Sequence, residues 1–160
     1  MPTGKNTPFN FTLIGVLLLL TLFADSPQMN GGFIMSEIHN KLVCHFYHAN
    51  LFHLAANALA LCLMRPSPDE IAKAYSIAVT AMLFTNTPTI GISSVIYAYI
   101  GLNIIRWKVS FIDWAVFIFA NLITILIPNV AFGVHAAAFI LGLVAYNIFR
   151  KVRKRLIFWT

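Results

Sequence analysis

The stretch that decides the reading is Gly91-Ile92-Ser93-Ser94-Val95-Ile96-Tyr97. A loop rich in turn residues precedes it, Thr85-Asn86-Thr87-Pro88-Thr89-Ile90, and an apolar run continues from it as far as Arg106-Trp107-Lys108. Two hydroxyls therefore stand at the start of a helix with an apolar body. A serine in that place is either a helix cap or a nucleophile. Taken alone, a cap or a packing hydroxyl is the commoner use. The surroundings decide between them.

Those surroundings are apolar throughout. Of 160 residues, 59% are hydrophobic and only 10% charged, where a soluble domain carries roughly 25% charged residues. So few charges do not cover a water-facing surface, and the expectation is an all-α membrane protein. No linker, internal repeat or low-complexity run divides the chain, so residues 1–160 read as a single transmembrane domain. The net charge of +6 reads as an orientation signal, and no nucleic-acid partner is expected. The basic tail Arg150-Lys151-Val152-Arg153-Lys154-Arg155 abuts an apolar segment, which makes anionic lipid headgroups its expected partner.

Six apolar stretches follow one another: Phe9 to Ala24, about Val43 to Met64, about Ile71 to Thr87, Gly91 to Trp107, Phe111 to Pro128 and Ala131 to Phe149. Most approach the ~20 residues that span a bilayer. Lipid leaves open backbone groups without water, so each is expected to be helical. The first stretch also has the look of a signal peptide, with Lys5 before it and Ala24 at its end. Leu22 at the third position before a cut is too large for cleavage, and a retained helix is expected. With six spans and a cytosolic N-terminus, the inside segments hold Lys5, Arg65, Lys73, Arg106, Lys108 and the five basic residues of the tail, against Lys41 alone outside. That bias supports both the span count and cytosolic termini. Cys44 and Cys62 fall in the second span, where one helix would hold them roughly 27 Å apart, too far to form a disulfide.

Polar groups at membrane depth are costly and call for a partner or a function. Here they are His48, His53 and Asn57 in the second span, Ser93 and Ser94 in the fourth, Asn121 in the fifth and His135 in the sixth. Counting back from each span's cytosolic arginine puts Ser93 roughly 20 Å, His135 roughly 22 Å and His53 roughly 18 Å along its helix. In a hydrocarbon core about 30 Å thick, all three occupy one layer near the outer face. A serine needs a base to take its proton, and histidine is the common one. Ser93 and His135 can form that pair. A third, carboxylate member has no source, because Asp25, Glu37, Asp69, Glu70 and Asp113 all fall outside the outer half of any span. Backbone N–H groups at the start of the fourth span, with His53 and Asn57 one turn apart on the second, are candidate donors to an oxyanion. Tyr97, one turn beyond Ser93, is expected to pack beside the site. Metal binding ranks lower: His48 and His53 are poorly spaced, and His45 with His48 lies near the outer surface without a clear third ligand. Asn121 reads as an interhelical hydrogen bond, and Gly101, Ala138 and Gly142 read as close-packing positions.

With these residues in place, the chain resembles the rhomboid intramembrane serine proteases. His48-Ala49-Asn50-Leu51-Phe52-His53-Leu54-Ala55-Ala56-Asn57 resembles the family's second-helix motif. Gly91-Ile92-Ser93 with Tyr97 and Gly101 resembles its nucleophile motif, and Val134-His135 with Gly142 its sixth-helix motif. The resemblance implies a six-transmembrane-helix bundle with Ser93 as nucleophile and His135 as general base. It implies His53 and Asn57 as oxyanion-hole residues, and His48 as a structural histidine beside them. The substrate it implies is a transmembrane segment of another protein, cut near its outer end, with neither metal nor cofactor. The charge bias says only that the site opens to the non-cytosolic side; the expected location is a multi-pass position in a bacterial inner (plasma) membrane. Ser94 and Ala138 stand where the family usually has glycine, and the first loop, Asp25 to Leu42, lacks the family's Trp-Arg pair. A catalytically inactive rhomboid-like protein that holds membrane clients is the alternative. Retention of both Ser93 and His135 speaks against it. A small transporter would need a polar path through both leaflets, and the inner half offers little beyond Asn57 and Asn103.

Overall fold

The computed structural model describes residues 7–23, 42–84, 89–107, 110, 115 and 132–157, and side chains as far as Lys151. Among these residues the chain is all-helical and contains no strand. The described elements are α1 (Thr7–Phe23), α2 (Leu51–Met64), α3 (Pro68–Leu83), α4 (Ser93–Asn103) and α5 (Phe132–Ile157), with a 3-10 turn at Cys44–Phe46 before α2. The fifth predicted span, with Asn121, and most of the first loop lie outside the described residues. Within α5, Phe132–Lys151 is long and apolar enough to cross a membrane, while Pro8–Phe23 and Leu51–Met64 are apolar but shorter.

The second span departs from expectation. It is not one helix from Val43. The chain turns at Cys44–Phe46, becomes extended at Tyr47 (φ −96°, ψ 151°), and restarts at Leu51 with Asn50 as the cap. The Asn50 side chain accepts from the His53 backbone N–H at 2.8 Å. That bond satisfies a donor the first helical turn otherwise leaves open, and it competes successfully with a continuous helix. Cys44 and Cys62 therefore do not share a helix, and the two are not joined by a disulfide. His48 lies in the irregular segment, not on α2.

Helix α2 ends where Arg65 adopts a left-handed conformation (φ 48°) and its N–H caps Leu61 O, with Pro66 next. A reciprocal capping box opens α3. Ser67 Oγ accepts from Glu70 N, and Glu70 Oε2 accepts from Ser67 N, with Pro68 in the first turn. Helix α5 runs past the predicted end at Phe149 and carries the basic tail as helix through Ile157.

Helix α4 is the centre. It packs against α2, α3 and α5, while α3 and α5 also pack together and α1 lies on α2. Every α4 residue but Tyr97 is buried, as its apolar sequence on all sides requires. Ser93 faces His135, and Gly101 faces Gly142, so α4 and α5 run parallel with both N-termini at one end. A Cβ on Gly101 would sit 2.2 Å from Phe139 O, and one on Gly142 would sit 2.5 Å from Ala98 O. Glycine at both positions lets the two backbones touch. Cys44, Met82, Val134 and Ile90 form a small apolar cluster that closes the same end.

Candidate active site

The parallel packing of α4 and α5 brings the two principal candidates together. Ser93 Oγ lies 2.8 Å from His135 Nε2, and both residues are buried. For the hydroxyl to donate, Nε2 must be unprotonated and Nδ1 must carry the hydrogen. Nδ1 is buried and has no hydrogen-bond partner among the described residues. The ring is held by its face. Tyr97 stacks on His135 with ring centroids 4.6 Å apart and planes 7° from parallel. Tyr97 stands one turn below Ser93 on α4, so one helix supplies both the hydroxyl and the platform that orients the imidazole.

The start of α2 packs at the same end of α4. The imidazole of His53 covers Gly91 so closely that a Cβ there would meet its Cε1 at 2.6 Å. Gly91 also has φ +104°, a conformation that favours glycine. His53 is partly exposed and meets the ring of His48 edge-on at 5.2 Å. Asn57, one turn further along α2, is buried, and its amide nitrogen has no partner among the described residues. His48 is buried. Buried polar groups are normally satisfied by protein or ordered water. At the start of α4, Ile92 gives no side-chain cap. The first-turn N–H groups, including that of Ser93, are therefore left without helical acceptors.

One pair escaped the sequence reading. Ser94, expected as a packing hydroxyl, lies 2.9 Å from Nδ1 of His45. His45 is 1% exposed. The extended break at Tyr47 turns the His45 ring inward. Asn50, an N-cap residue type standing directly before an apolar run, was the signal that placed this break. No group of three or more His, Cys, Asp or Glu among the described residues is arranged to hold a metal.

Compared with known proteins, the chain matches no family model, no curated sequence and no solved structure closely enough to show a relationship. The functional reading therefore rests on the residues and their arrangement.

Proposed function

We propose that this chain is an intramembrane serine endopeptidase of the rhomboid type. The observation that carries the reading is the 2.8 Å contact between Ser93 Oγ and His135 Nε2, buried between two apolar helices. Ser93 attacks the scissile carbonyl as His135 Nε2 takes its proton. The new C–O bond makes a tetrahedral intermediate with its negative charge on the former carbonyl oxygen. The Ser93 N–H, the Asn57 amide and the His53 ring are the donors assigned to that oxygen. As the intermediate collapses, the C–N bond breaks and His135 returns the proton to the departing amine. Water, deprotonated by the same nitrogen, then releases the acyl group and restores Ser93. In this scheme the Tyr97 face does the orienting that a carboxylate performs in a three-member arrangement.

The proposed setting is a multi-pass protein of a bacterial inner (plasma) membrane, with six spans and cytosolic termini. Exposed apolar residues on three helices support it: Phe11 and Phe23 on α1, Phe52 and Leu63 on α2, Ile140 and Phe149 on α5. Exposed apolar surface spread so widely fits a lipid environment better than water. The substrates proposed are transmembrane segments of other proteins, and anionic lipids are proposed to meet the basic end of α5. Neither nucleic acid nor cofactor enters the scheme.

The test is cleavage of a single-span reporter protein in proteoliposomes. Ser93→Ala and His135→Ala are expected to lower turnover at least about 10⁴-fold, and a fluorophosphonate is expected to label Ser93. Cleavage surviving in Ser93→Ala overturns the assignment. A wild-type protein that binds the reporter without cutting it, and does not label, is instead the inactive client-binding relative.

A further inference from the structure

Two neighbouring serines at the head of α4 reach in different directions. Ser93 joins α4 to α5 through His135, and Ser94 joins α4 to the Cys44–Phe46 turn through His45. Ser94 is fully buried, which excludes it from attacking a substrate itself. Its hydroxyl nonetheless has a specific partner, and so does the loop before it. Gly91 N donates to Cys44 O at 3.0 Å. Residues 91–94 are thus pinned to residues 44–45 at two points, one through the backbone and one through side chains. Helix α4 needs this fixing, because its N-cap residue Ile92 supplies no side-chain bond to hold the first turn.

The far side of the pin is itself braced. His45 meets the ring of Tyr75 on α3 edge-on, with centroids 5.4 Å apart. The Tyr75 hydroxyl donates to Leu42 O, at the start of the segment that carries His45. A chain of contacts therefore runs from α3 through Tyr75, His45 and Ser94 into the first turn of α4. It ends one residue from Ser93.

We propose that Ser94 and His45 form a positioning pair that sets the rotation of the first turn of α4, and thereby the aim of Ser93 at His135 and at substrate. The proposal rests on the reading of Ser93 as nucleophile. It assigns a role to the residue that departs from the glycine usual in the family this chain resembles. A Ser94 side chain adds a hydrogen bond where glycine offers only close packing. The pair acts on geometry that matters within a fraction of an ångström, so its loss is felt in turnover more than in substrate affinity.

The experiment measures kcat and KM for the reporter substrate in proteoliposomes, together with thermal midpoints. Its variants are Ser94→Ala, His45→Leu, their combination and His45→Asn. Ser94→Ala and His45→Leu are each expected to lower kcat about tenfold, with KM held within about twofold. The double variant is expected to be no worse than either single one, because both remove the same bond. His45→Asn keeps a polar atom near the place of Nδ1 and is expected to recover most of the turnover. It also decides the matter where His45→Leu fails to fold. A purely structural role would lower the thermal midpoint and leave kcat of the folded fraction alone. The proposal is overturned if Ser94→Ala keeps the wild-type kcat, if the single losses multiply in the double variant, or if His45→Asn recovers nothing. Those results arise in a protein that cuts. A wild type that neither cuts nor labels at Ser93 removes the protease reading, and the proposal with it.

Discussion

The proposed role of Asn57 can be separated from a structural one. Its amide nitrogen is buried and has no partner among the described residues, and the proposed mechanism assigns it to the oxyanion of the intermediate. This gives a separable prediction. Asn57→Leu is expected to lower kcat about 10²- to 10³-fold, the usual effect of removing one oxyanion donor, with little change in KM. The thermal midpoint is expected to hold, because the change removes no hydrogen bond between the amide nitrogen and the described residues. Circular dichroism melts beside reporter kinetics check both halves. A midpoint that falls while kcat is retained would assign Asn57 to structure. At this scale, the juxtaposition of Ser93 with His135 was legible in the sequence, because a helix converts residue counts into depth. Ser94 with His45 was not. Treating residues 43–64 as one helix carried His45 above the layer where it in fact meets α4. The stacking of Tyr97 was legible only as proximity, since ring orientation depends on the partner helix.

At the scale of elements, the crossing of α4 and α5 decides whether the site exists. The pair Ser93–His135 spans two helices, and their distance is set lower down, where Gly101 and Gly142 let backbones meet. Gly142→Ala puts a methyl carbon 2.5 Å from Ala98 O. A backbone carbonyl inside a buried helix does not rotate away as a flexible side chain would, so the helices must part. We expect a loss of about 1–3 kcal/mol in stability, the range for overpacking. We also expect kcat to fall further than the stability loss alone would reduce it, because parting the helices lengthens the Ser93–His135 contact. Unfolding in a mixed-micelle titration and turnover of the folded fraction measure the two effects. Full turnover in Gly142→Ala would show that the contact tolerates a wider crossing. The helical character of the described elements was legible in apolar run length and in lipid's demand for satisfied backbone. Their ends were less so. Asn50 starts α2 late because its side chain outbids the preceding residues for the first free N–H, a contest of local bonds that hydropathy does not register. The Ser67–Glu70 box starts α3 ahead of the apolar run at Ile71 by the same kind of local bond.

At the scale of the whole molecule, charge and shape point the same way. Helix α5 continues beyond its apolar portion through Ile157, so Arg150, Lys151, Arg153, Lys154 and Arg155 extend one rod out of the apolar region. Cations at a helix C-terminus are stabilised by the helix dipole, and the proposed topology would bring them to anionic lipid on the cytosolic side. The parallel run of α4 and α5 puts Arg106, at the far end of α4, on the same side as these residues. The site stands at the opposite end. If the proposed topology holds, Lys41 is the sole basic residue on the side where the site opens. Single cysteines at positions 41 and 155, in a Cys44→Ala/Cys62→Ala background, test this with a membrane-impermeant maleimide on intact cells. Position 41 is expected to label, and position 155 only after the membrane is opened. Labelling of position 155 but not of position 41 in intact cells would invert the molecule and place the Ser93 layer on the cytosolic side. Labelling of both positions would mean an even number of crossings between residues 41 and 155, one fewer or one more than the five proposed. The expected result requires an odd number of crossings between the two positions, and the second to sixth apolar stretches supply it. The test therefore bears on the fifth stretch as directly as on orientation, because removing that one crossing puts positions 41 and 155 on the same side.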